Sequence, residues 1–267
     1  MPELPEVECV RQGILEGFLG DQIHSVWSHG TGHLLDPASL ALKGLAGETL
    51  LAVERRGKYL RWVTLRFQFL VHLGMTGVWS ANVPRSTHTH LEITFANGHT
   101  LTYTDPRQFG YLCLAPVSEI LERWEALGPD AISAEFCAKS MCARACKSQV
   151  AIKIWIMDQH HVAGIGNIYA SEALFRAHIH PARAACSLDL ADWTRLVRES
   201  KAVLRLSIRK RGTTFSDYRL TNGRGGAFQG FLKVFQKPGE PCPDCAAPIQ
   251  QITQGGRSTF FCAHCQR

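Results

Sequence analysis

The chain has 267 residues, of which 45% are hydrophobic, and its 29 basic and 23 acidic residues give a formal charge of +6. This length allows two modest domains and a small appendage. The sequence shows no secretory signal and no membrane-spanning run, which predicts a cytoplasmic protein with no membrane partner. The mild positive charge favours polyanionic partners, although it does not by itself establish nucleic-acid binding.

The first part of the chain, residues 1–115, predicts a β-rich domain behind a short helix. Val7, Val10 and Ile14 recur at helical spacing, so we expect a buried helix over residues 5–18. Short runs of β-branched and aromatic residues follow, and several such runs with turn signals indicate a sandwich or barrel. The predicted strands cover 58–67, 69–73, 91–95 and 100–103, with a hairpin turn at Asn97-Gly98.

After residue 115 the pattern becomes helical. We predict a linker over 116–133, a helical domain over 134–232 and a separate tail over 233–267. Ser187 is predicted to cap a long helix. The apolar stripe of that helix is Leu190, Trp193, Val197, Leu204 and Ile208.

A glycine-rich segment, Gly164-Ile165-Gly166-Asn167, lies between helical patterns. The glycines permit tight turns, and Asn167 is predicted to begin a helix whose free N–H groups can hold a phosphate. Alone, this pattern is more often an ordinary turn between helices. It is not a nucleotide-cofactor site, because no strand precedes it and no βαβ unit surrounds it.

The tail carries two pairs of cysteines, Cys242 with Cys245 and Cys262 with Cys265, in C-x2-C spacing. Such pairs form tight knuckles that close a tetrahedron of four sulfurs around one zinc ion, so the predicted cofactor is a single structural Zn²⁺. Disulfides are the alternative, and a reducing compartment disfavours them. The other close set of cysteines, Cys137, Cys142 and Cys146, matches no closed knuckle.

The start of the chain, Met1-Pro2-Glu3, suggests a nucleophile. Removal of Met1 would leave Pro2 with a secondary amine, and α-amino groups titrate near ~8, so a useful fraction is unprotonated at neutral pH. Such an amine can attack an aldehyde-like carbon and form a cationic iminium. Considered alone, a Pro-Glu terminus is more often a solvated chain end.

Several motifs in series resemble the bacterial formamidopyrimidine (8-oxoguanine) DNA glycosylases. They are PELPEVE at 2–8, HLGMTG at 72–77, DPRQFG at 105–110, GIGNIYASEALF at 164–175 and the four-cysteine tail. The resemblance implies an α+β fold with an N-terminal β-sandwich and flanking helices, a helical domain with a helix–two-turn–helix motif, and a β-hairpin zinc finger. It also implies a monomeric base-excision-repair enzyme that binds damaged double-stranded DNA, removes oxidised purines and cleaves the abasic site by β,δ-elimination.

The same resemblance assigns catalytic roles. Pro2 attacks the sugar C1′ and forms a Schiff base, Glu3 donates and shuttles protons, and Glu6 supports the position of the amine. Lys58 lies next to the damaged nucleotide and is assigned to proton transfer during β-elimination, and Lys58→Ala is expected to impair processing of 8-oxoguanine more than of a preformed abasic site. Arg257, at the tip of the zinc hairpin, grips phosphate and assists δ-elimination.

DNA contacts are implied for seven further residues. Met75, Arg107 and Phe109 match the residues that fill the space left in the duplex by the flipped nucleotide. His72, His88, Lys153 and Asn167 match positions that touch phosphates, which orients the protein without reading sequence.

Some positions depart from the family pattern. Gln108 replaces a usual second basic residue, which predicts one weaker backbone contact. The stretch 221–228, in the place of the loop that covers the flipped base, is rich in glycine and makes the base preference less secure, and 234–238 differs from the usual run before the zinc pairs. Two alternatives stay open: a sister glycosylase for oxidised pyrimidines, and a zinc-dependent module that binds lesions without cutting.

Overall fold

The computed structural model describes residues 2–29, 34–36, 40–214 and 219–267. The chain divides into two compact units. The N-terminal unit is Met1–Ala126 with Lys210–Gln229, and the C-terminal unit is Leu127–Arg209 with Gly230–Arg267. The segment Lys210–Gln229 thus packs with the N-terminal unit, whereas the sequence analysis placed it at the end of the helical domain. Within the described ranges, no helix is both long and apolar enough to cross a membrane.

The N-terminal unit contains two four-stranded antiparallel sheets. Their strand orders are β1-β6-β7-β5 and β2-β3-β4-β8. Helix α1 precedes the strands, and a short helix α2 follows them. The elements are α1 (Leu4–Phe18), β1 (Ile23–Ser28), β2 (Ala52–Arg56), β3 (Tyr59–Val63), β4 (Phe67–His72), β5 (Val78–Ala81), β6 (Thr89–Phe95), β7 (Thr100–Thr104), β8 (Tyr111–Pro116) and α2 (Glu122–Glu125), with a 3-10 turn at Leu42–Leu45.

One hydrophobic core fills the space between the two sheets, which makes this unit a β-sandwich. Trp62 of β3 and Trp79 of β5 belong to different sheets, and their ring centroids lie 5.1 Å apart. The apolar stripe of α1, with Val7 and Val10 fully buried, joins the same core. Burial of these aromatic and aliphatic surfaces is the main stabilising contribution to the unit.

Turns set the strand ends, and one of them changes the predicted pattern. The run 58–67 was predicted as one strand, but Lys58 lies in the β2–β3 turn and a second turn separates β3 from β4. Gly57 makes the first turn possible because its φ is +59°, a conformation that L side chains rarely adopt. The Asn97-Gly98 hairpin turn between β6 and β7 is confirmed, with Gly98 at φ +84°.

The C-terminal unit is helical and ends in a β-hairpin. Its elements are α3 (Ala138–Ala145), α4 (Ile152–Met157), α5 (Asn167–Arg176), α6 (Leu190–Arg209), β9 (Gln250–Gln254) and β10 (Arg257–Phe261), with a 3-10 turn at Ala185–Ser187. The helix predicted to begin at Asn167 is confirmed as α5.

Helix α6 is capped by Asp189, two residues later in the chain than the predicted cap, Ser187. The Asp189 carboxylate accepts the N–H of Asp192 at 2.7 Å, whereas Ser187 lies in the preceding 3-10 turn. Aspartate serves this position as well as serine, because its side-chain oxygen satisfies a free N–H of the first turn. Trp193 and Leu204 are buried on the predicted stripe, but Leu190 is 55% exposed and lies outside it.

Candidate active site and metal centre

The amino end of α1 is fixed by the side chain of Glu6. Its Oε2 accepts the backbone N–H of Glu3 at 2.9 Å, which forms half of a capping box with the Glu3 side chain. Its Oε1 accepts the N–H of Thr213 at 2.8 Å. Glu3 and Glu6 are both buried, and Pro2 is buried directly before them. Met1, whose removal is predicted, lies outside the described residues.

Lys58 is the second predicted catalytic residue of this unit beyond the amino end. It is buried in the β2–β3 turn, with 4% of its surface exposed. His72, at the end of β4, lies close enough for the Lys58 charge to affect its imidazole. Burial, with the charges of Lys58 and Arg123, lowers the pKa of His72 to about 4. The Nδ1 of His72 accepts the N–H of Gly74 at 3.1 Å, so a neutral ring keeps its proton on Nε2.

The 72–77 and 105–110 loops form one packed surface. Gly74 has φ +61°, and a Cβ there would lie 2.4 Å from the carbonyl of Phe109, so only glycine permits this approach. Asp105 is fully buried and holds both loops: it accepts the Thr76 hydroxyl and the N–H of Gly110, the latter at 2.8 Å. Sequence analysis did not single out Asp105, although its position at the head of DPRQFG is a signal.

This rigid pair of loops presents three side chains to solvent. Met75 is 38% exposed and Phe109 is 56% exposed, although both are large apolar residues that would otherwise favour the core. The guanidinium of Arg107 lies over the Phe109 ring at 4.8 Å. His88 is also exposed. Gln108 between Arg107 and Phe109 takes φ +54°, an uncommon conformation for a residue other than glycine.

In the C-terminal unit, Lys153 and Asn167 form a buried polar cluster with the zinc hairpin. The Lys153 ammonium is fully buried and donates to Asn167 Oδ1 at 2.6 Å, to Thr259 Oγ1 at 2.6 Å and to the Ser258 carbonyl at 3.1 Å. Asn167 Nδ2 also donates to the Ser258 carbonyl at 3.0 Å. The phosphate contact predicted for Lys153 stays a prediction, and its observed partners lie inside the protein.

Arg257 lies at the tip of the β9–β10 hairpin. Gly255 and Gly256 make the turn with φ +54° and +71°, and Arg257 pairs with Gln254 as the first residue of β10. The Arg257 side chain is exposed, while Thr259 and Phe260 of the same strand are buried. The hairpin therefore carries an exposed guanidinium on a strand that is anchored two residues later.

The four tail cysteines form the metal centre. Their sulfur atoms all lie within 4.8 Å of one another, with Cys242 and Cys265 at 3.9 Å and Cys245 and Cys262 at 3.5 Å. A tetrahedron with Zn–S bonds of about 2.3 Å has edges of about 3.8 Å. The sulfurs therefore fit one structural zinc ion with no position left for a substrate.

Three polar residues, of which Glu172 and Gln266 are buried and Gln159 is half-buried, support this unit and were not identified from the sequence. Glu172, fully buried on α5, accepts the backbone N–H groups of Lys233, Val234 and Phe235 at 2.9 to 3.0 Å. Gln159 accepts the N–H of Gly164 and donates to the Ile165 carbonyl, both at 2.9 Å, at the start of the glycine turn. Gln266 accepts the N–H of Cys262 and donates to the Ile179 carbonyl. The partners of Glu172 and the Ile179 partner of Gln266 are distant in sequence, so no local pattern reveals these contacts.

Family profiles cover most of the chain. The formamidopyrimidine-DNA glycosylase N-terminal domain matches residues 1–112. The formamidopyrimidine-DNA glycosylase H2TH domain matches residues 127–218, and a zinc finger found in FPG and IleRS matches residues 239–267. The three regions occur in the order that the sequence motifs predict.

Full-length relatives and solved structures agree with these profiles. The chain is 41% identical to formamidopyrimidine-DNA glycosylase of Vibrio cholerae and 40% identical to that of a strain of Escherichia coli, each over 100% of both chains. Lactococcus lactis Fpg in complex with N7-benzyl-Fapy-dG DNA has a TM-score of 0.91 at 33% identity, with 100% of both chains covered. Thermus thermophilus MutM has a TM-score of 0.89 at 35% identity, covering 99% of this chain and 98% of that one.

The fold and the comparisons define a class of protein, the DNA-repair glycosylases with abasic-site lyase activity. The chain belongs to the formamidopyrimidine-DNA glycosylase family. The resemblance drawn from the motifs, the sandwich-plus-helical fold and the single structural zinc are confirmed.

Proposed function

We propose that this enzyme removes oxidised purines, chiefly 8-oxoguanine and ring-opened formamidopyrimidines, from duplex DNA and then cleaves the abasic strand. Two of the similar Lactococcus lactis structures are complexes with DNA containing Fapy-dG or N7-benzyl-Fapy-dG, which supports this substrate class. The enzyme acts as a monomer on chromosomal DNA in the bacterial cytoplasm. The observation that carries the proposal is the double hydrogen bond of Glu6, which fixes the Pro2-Glu3 end of α1 inside the protein.

The reaction begins once Met1 is removed and the Pro2 nitrogen is free. Its lone pair forms a bond to the sugar C1′, the bond from C1′ to the damaged base breaks, and the base leaves with a proton. Opening of the sugar ring gives the iminium, which acts as an electron sink. Loss of a C2′ proton then expels the 3′-phosphate, and a second elimination expels the 5′-phosphate. The product is a one-nucleotide gap with phosphorylated ends.

Protein groups supply the protons and the charge that these steps require. Glu3, at the N-cap of α1, protonates the sugar oxygen and shuttles protons. Lys58 transfers a proton near the departing base, and its burial supports a role at a desolvated reacting centre. Arg257 neutralises the phosphate that leaves last. The four tail cysteines would hold a zinc ion that supports catalysis indirectly, because it would keep the hairpin that carries this arginine in place.

DNA recognition uses exposed and half-buried side chains. Phe109 and Met75 enter the stack where the nucleotide has left, and Arg107 pairs with the orphaned base. Their exposure on a rigid pair of loops supports this assignment. His72, His88 and Asn167 bind phosphates, with His72 acting as a neutral N–H donor. Lys153 supports the Asn167 contact from inside, since its ammonium orients that side chain.

Oxidised pyrimidines are a second candidate substrate. One similar structure is a complex of Lactococcus lactis Fpg with DNA containing an oxidised pyrimidine. A lesion-binding module without catalysis is the remaining alternative, but binding alone requires neither a fixed amino terminus nor a buried lysine such as Lys58.

A panel of duplexes separates these possibilities. Strand scission is measured with 8-oxoguanine opposite cytosine, with thymine glycol and with an undamaged duplex of the same sequence. We expect rapid scission of the first, slower scission of the second and none of the third, with phosphate on both ends of the gap. Tight binding of the 8-oxoguanine duplex with no scission at any enzyme concentration would refute the proposal.

A further inference from the structure

A buried ion pair links helix α1 to the strand that leads to Lys58. Glu8, on the second turn of α1, accepts the Nε of Arg55 at 2.9 Å, and only 10% of the Glu8 side chain and 7% of the Arg55 side chain are exposed. Arg11 also donates to Glu8, at 2.7 and 3.0 Å. Burial alone would raise the pKa of the Glu8 carboxyl, but its hydrogen bonds and charge interactions with Arg11 and Arg55 outweigh burial and lower it.

The same guanidinium reaches the turn that carries Lys58. The NH1 group of Arg55 donates to the carbonyl of Gly57 at 3.1 Å. Gly57 has φ +59°, and its carbonyl belongs to the peptide unit that connects it to Lys58. The orientation of that carbonyl therefore sets the direction in which the Lys58 side chain leaves the backbone. Two nitrogens of one guanidinium thus donate to Glu8 of α1 and to the Lys58 turn at the same time.

Helix α1 also carries the amino-terminal groups. Glu3 is its N-cap and Glu6 lies in its first turn, within two turns of Glu8. A rise of about 1.5 Å per residue places Glu8 about 7.5 Å along the helix from Glu3. The ion pair therefore joins the element that positions Pro2 and Glu3 to the turn that positions Lys58.

We propose that Arg55, held by Glu8, is a positioning residue that fixes the Lys58 ammonium relative to the amino-terminal amine and so controls the rate of base release. This inference rests on the function proposed above. A lysine side chain is long and flexible, and a displacement of about 1 Å at a reacting group costs on the order of 100-fold in rate. Lysine cannot replace Arg55, because only a planar guanidinium donates in two fixed directions.

The test uses two variants. Arg55→Lys keeps the positive charge but loses the second hydrogen bond, to the Gly57 carbonyl, and Glu8→Gln keeps the shape of the side chain but loses its charge. The matched control is Arg61→Lys on the same hairpin. Arg61 pairs with Glu54 through its Nε at 3.0 Å, and this pair is more exposed than the Glu8–Arg55 pair, with 26% of the Arg61 side chain and 47% of the Glu54 side chain exposed. Single-turnover rates and duplex affinities are measured with an 8-oxoguanine duplex and with a duplex containing a preformed abasic site.

Arg55→Lys is expected to slow base release from 8-oxoguanine about 10- to 100-fold, with less than about a twofold change in duplex affinity. Cleavage of the preformed abasic site should fall much less. In a double-mutant cycle, Arg55→Lys combined with Lys58→Ala should be no slower than Lys58→Ala alone, because both changes remove one function. If Arg55 had a purely structural role, Arg55→Lys would slow base release and abasic-site cleavage together. Its rate loss would then multiply with the rate loss of Lys58→Ala.

The inference would be overturned if Arg55→Lys released the base as fast as Arg61→Lys does. It would also be overturned if the rate losses of Arg55→Lys and Lys58→Ala multiplied in the double-mutant cycle. If Arg55→Lys does not fold, Glu8→Gln is compared with Arg61→Lys in its place. A base-release rate for Glu8→Gln equal to that of Arg61→Lys would also overturn the inference. Failure of the unmodified enzyme to cleave 8-oxoguanine would instead refute the proposed function and this inference with it. Normal cleavage by the unmodified enzyme and by both variants would refute the inference alone.

Discussion

Glu6 and Thr213 lie 207 positions apart in the chain, and the Thr213 N–H donates to Glu6 Oε1 at 2.8 Å. The other oxygen of the same carboxylate binds the N–H of Glu3. One buried side chain therefore connects the amino end of α1, next to the proposed nucleophile Pro2, to the returning segment Lys210–Gln229. The stretch 221–228, which was predicted to cover the flipped base, belongs to that segment. The position of the amino end of α1 therefore depends on the fold of a distant stretch of chain.

Replacement of Glu6 by glutamine should weaken this connection. The amide can accept only through one oxygen, and its NH₂ would face a backbone donor. Charge-assisted hydrogen bonds contribute about 2 kcal/mol each, so we expect a loss of about that size in stability and a slower glycosylase reaction. Thermal unfolding and single-turnover rates measure both. Glu16→Gln, on the exposed face of the same helix, is the control and should change neither.

The His72 imidazole should make stability fall at mildly acid pH. Its pKa is about 4 in the folded protein, against 6.5 for the free group. The unfolded chain therefore binds a proton first as pH falls, so stability is intact above about pH 6.5 and declines towards pH 4. His72→Asn keeps an acceptor for the Gly74 N–H and should show a smaller decline. An NMR titration in which His72 protonates near pH 6.5 would contradict this assignment.

Loss of one zinc ligand should release the metal and affect cleavage. Cys245→Ser removes one thiolate from a closed four-sulfur site, so metal analysis should find less than one zinc per chain. Elimination should slow because the hairpin that carries Arg257 is no longer held. Cys137→Ser changes an exposed cysteine outside the knuckles and should keep one zinc and full activity. Full zinc occupancy in Cys245→Ser would show that the ligand set is different.

Phe109→Ala should separate DNA distortion from folding. The ring is 56% exposed, so its removal should leave the melting temperature unchanged. Base stacking on an aromatic side chain contributes about 1–3 kcal/mol, so binding of the lesion duplex should weaken about 10- to 100-fold. Leu65→Ala, at a turn where leucine is 79% exposed, is the control. Equal affinities for Phe109→Ala and the unmodified enzyme would remove Phe109 from the proposed wedge.

The parts of the structure predicted correctly from sequence are those that local patterns determine. The α1 stripe, the Asn97-Gly98 turn, the Asn167 helix start and the four-sulfur knuckles each follow from spacing within a short stretch. The motifs, taken in series, identified the family. The predicted strand 58–67 was too long, because Lys58 shares the turn that Gly57 makes at positive φ and because residues 64–66 form a second turn without any glycine or proline to signal it.

The remaining features depend on partners that sequence spacing does not reveal. Glu8 binds Arg55 from 47 positions away, and Lys153 binds Thr259 from 106 positions away. Each of these charged groups is buried and therefore requires its partner, but a single sequence does not show which partner it takes. The helix α6 cap was misassigned for a simpler reason, since Ser187 and Asp189 are both good capping residues two positions apart.

Covalent trapping tests most directly whether the Pro2 nitrogen is the nucleophile. Enzyme and an 8-oxoguanine duplex are incubated with borohydride, and the protein–DNA adduct is digested and mapped by mass spectrometry. We predict that Met1 is absent from the active protein and that the reduced adduct lies on the nitrogen of Pro2. An adduct on Lys58 or any other lysine, or full activity of a preparation that retains Met1, would contradict it.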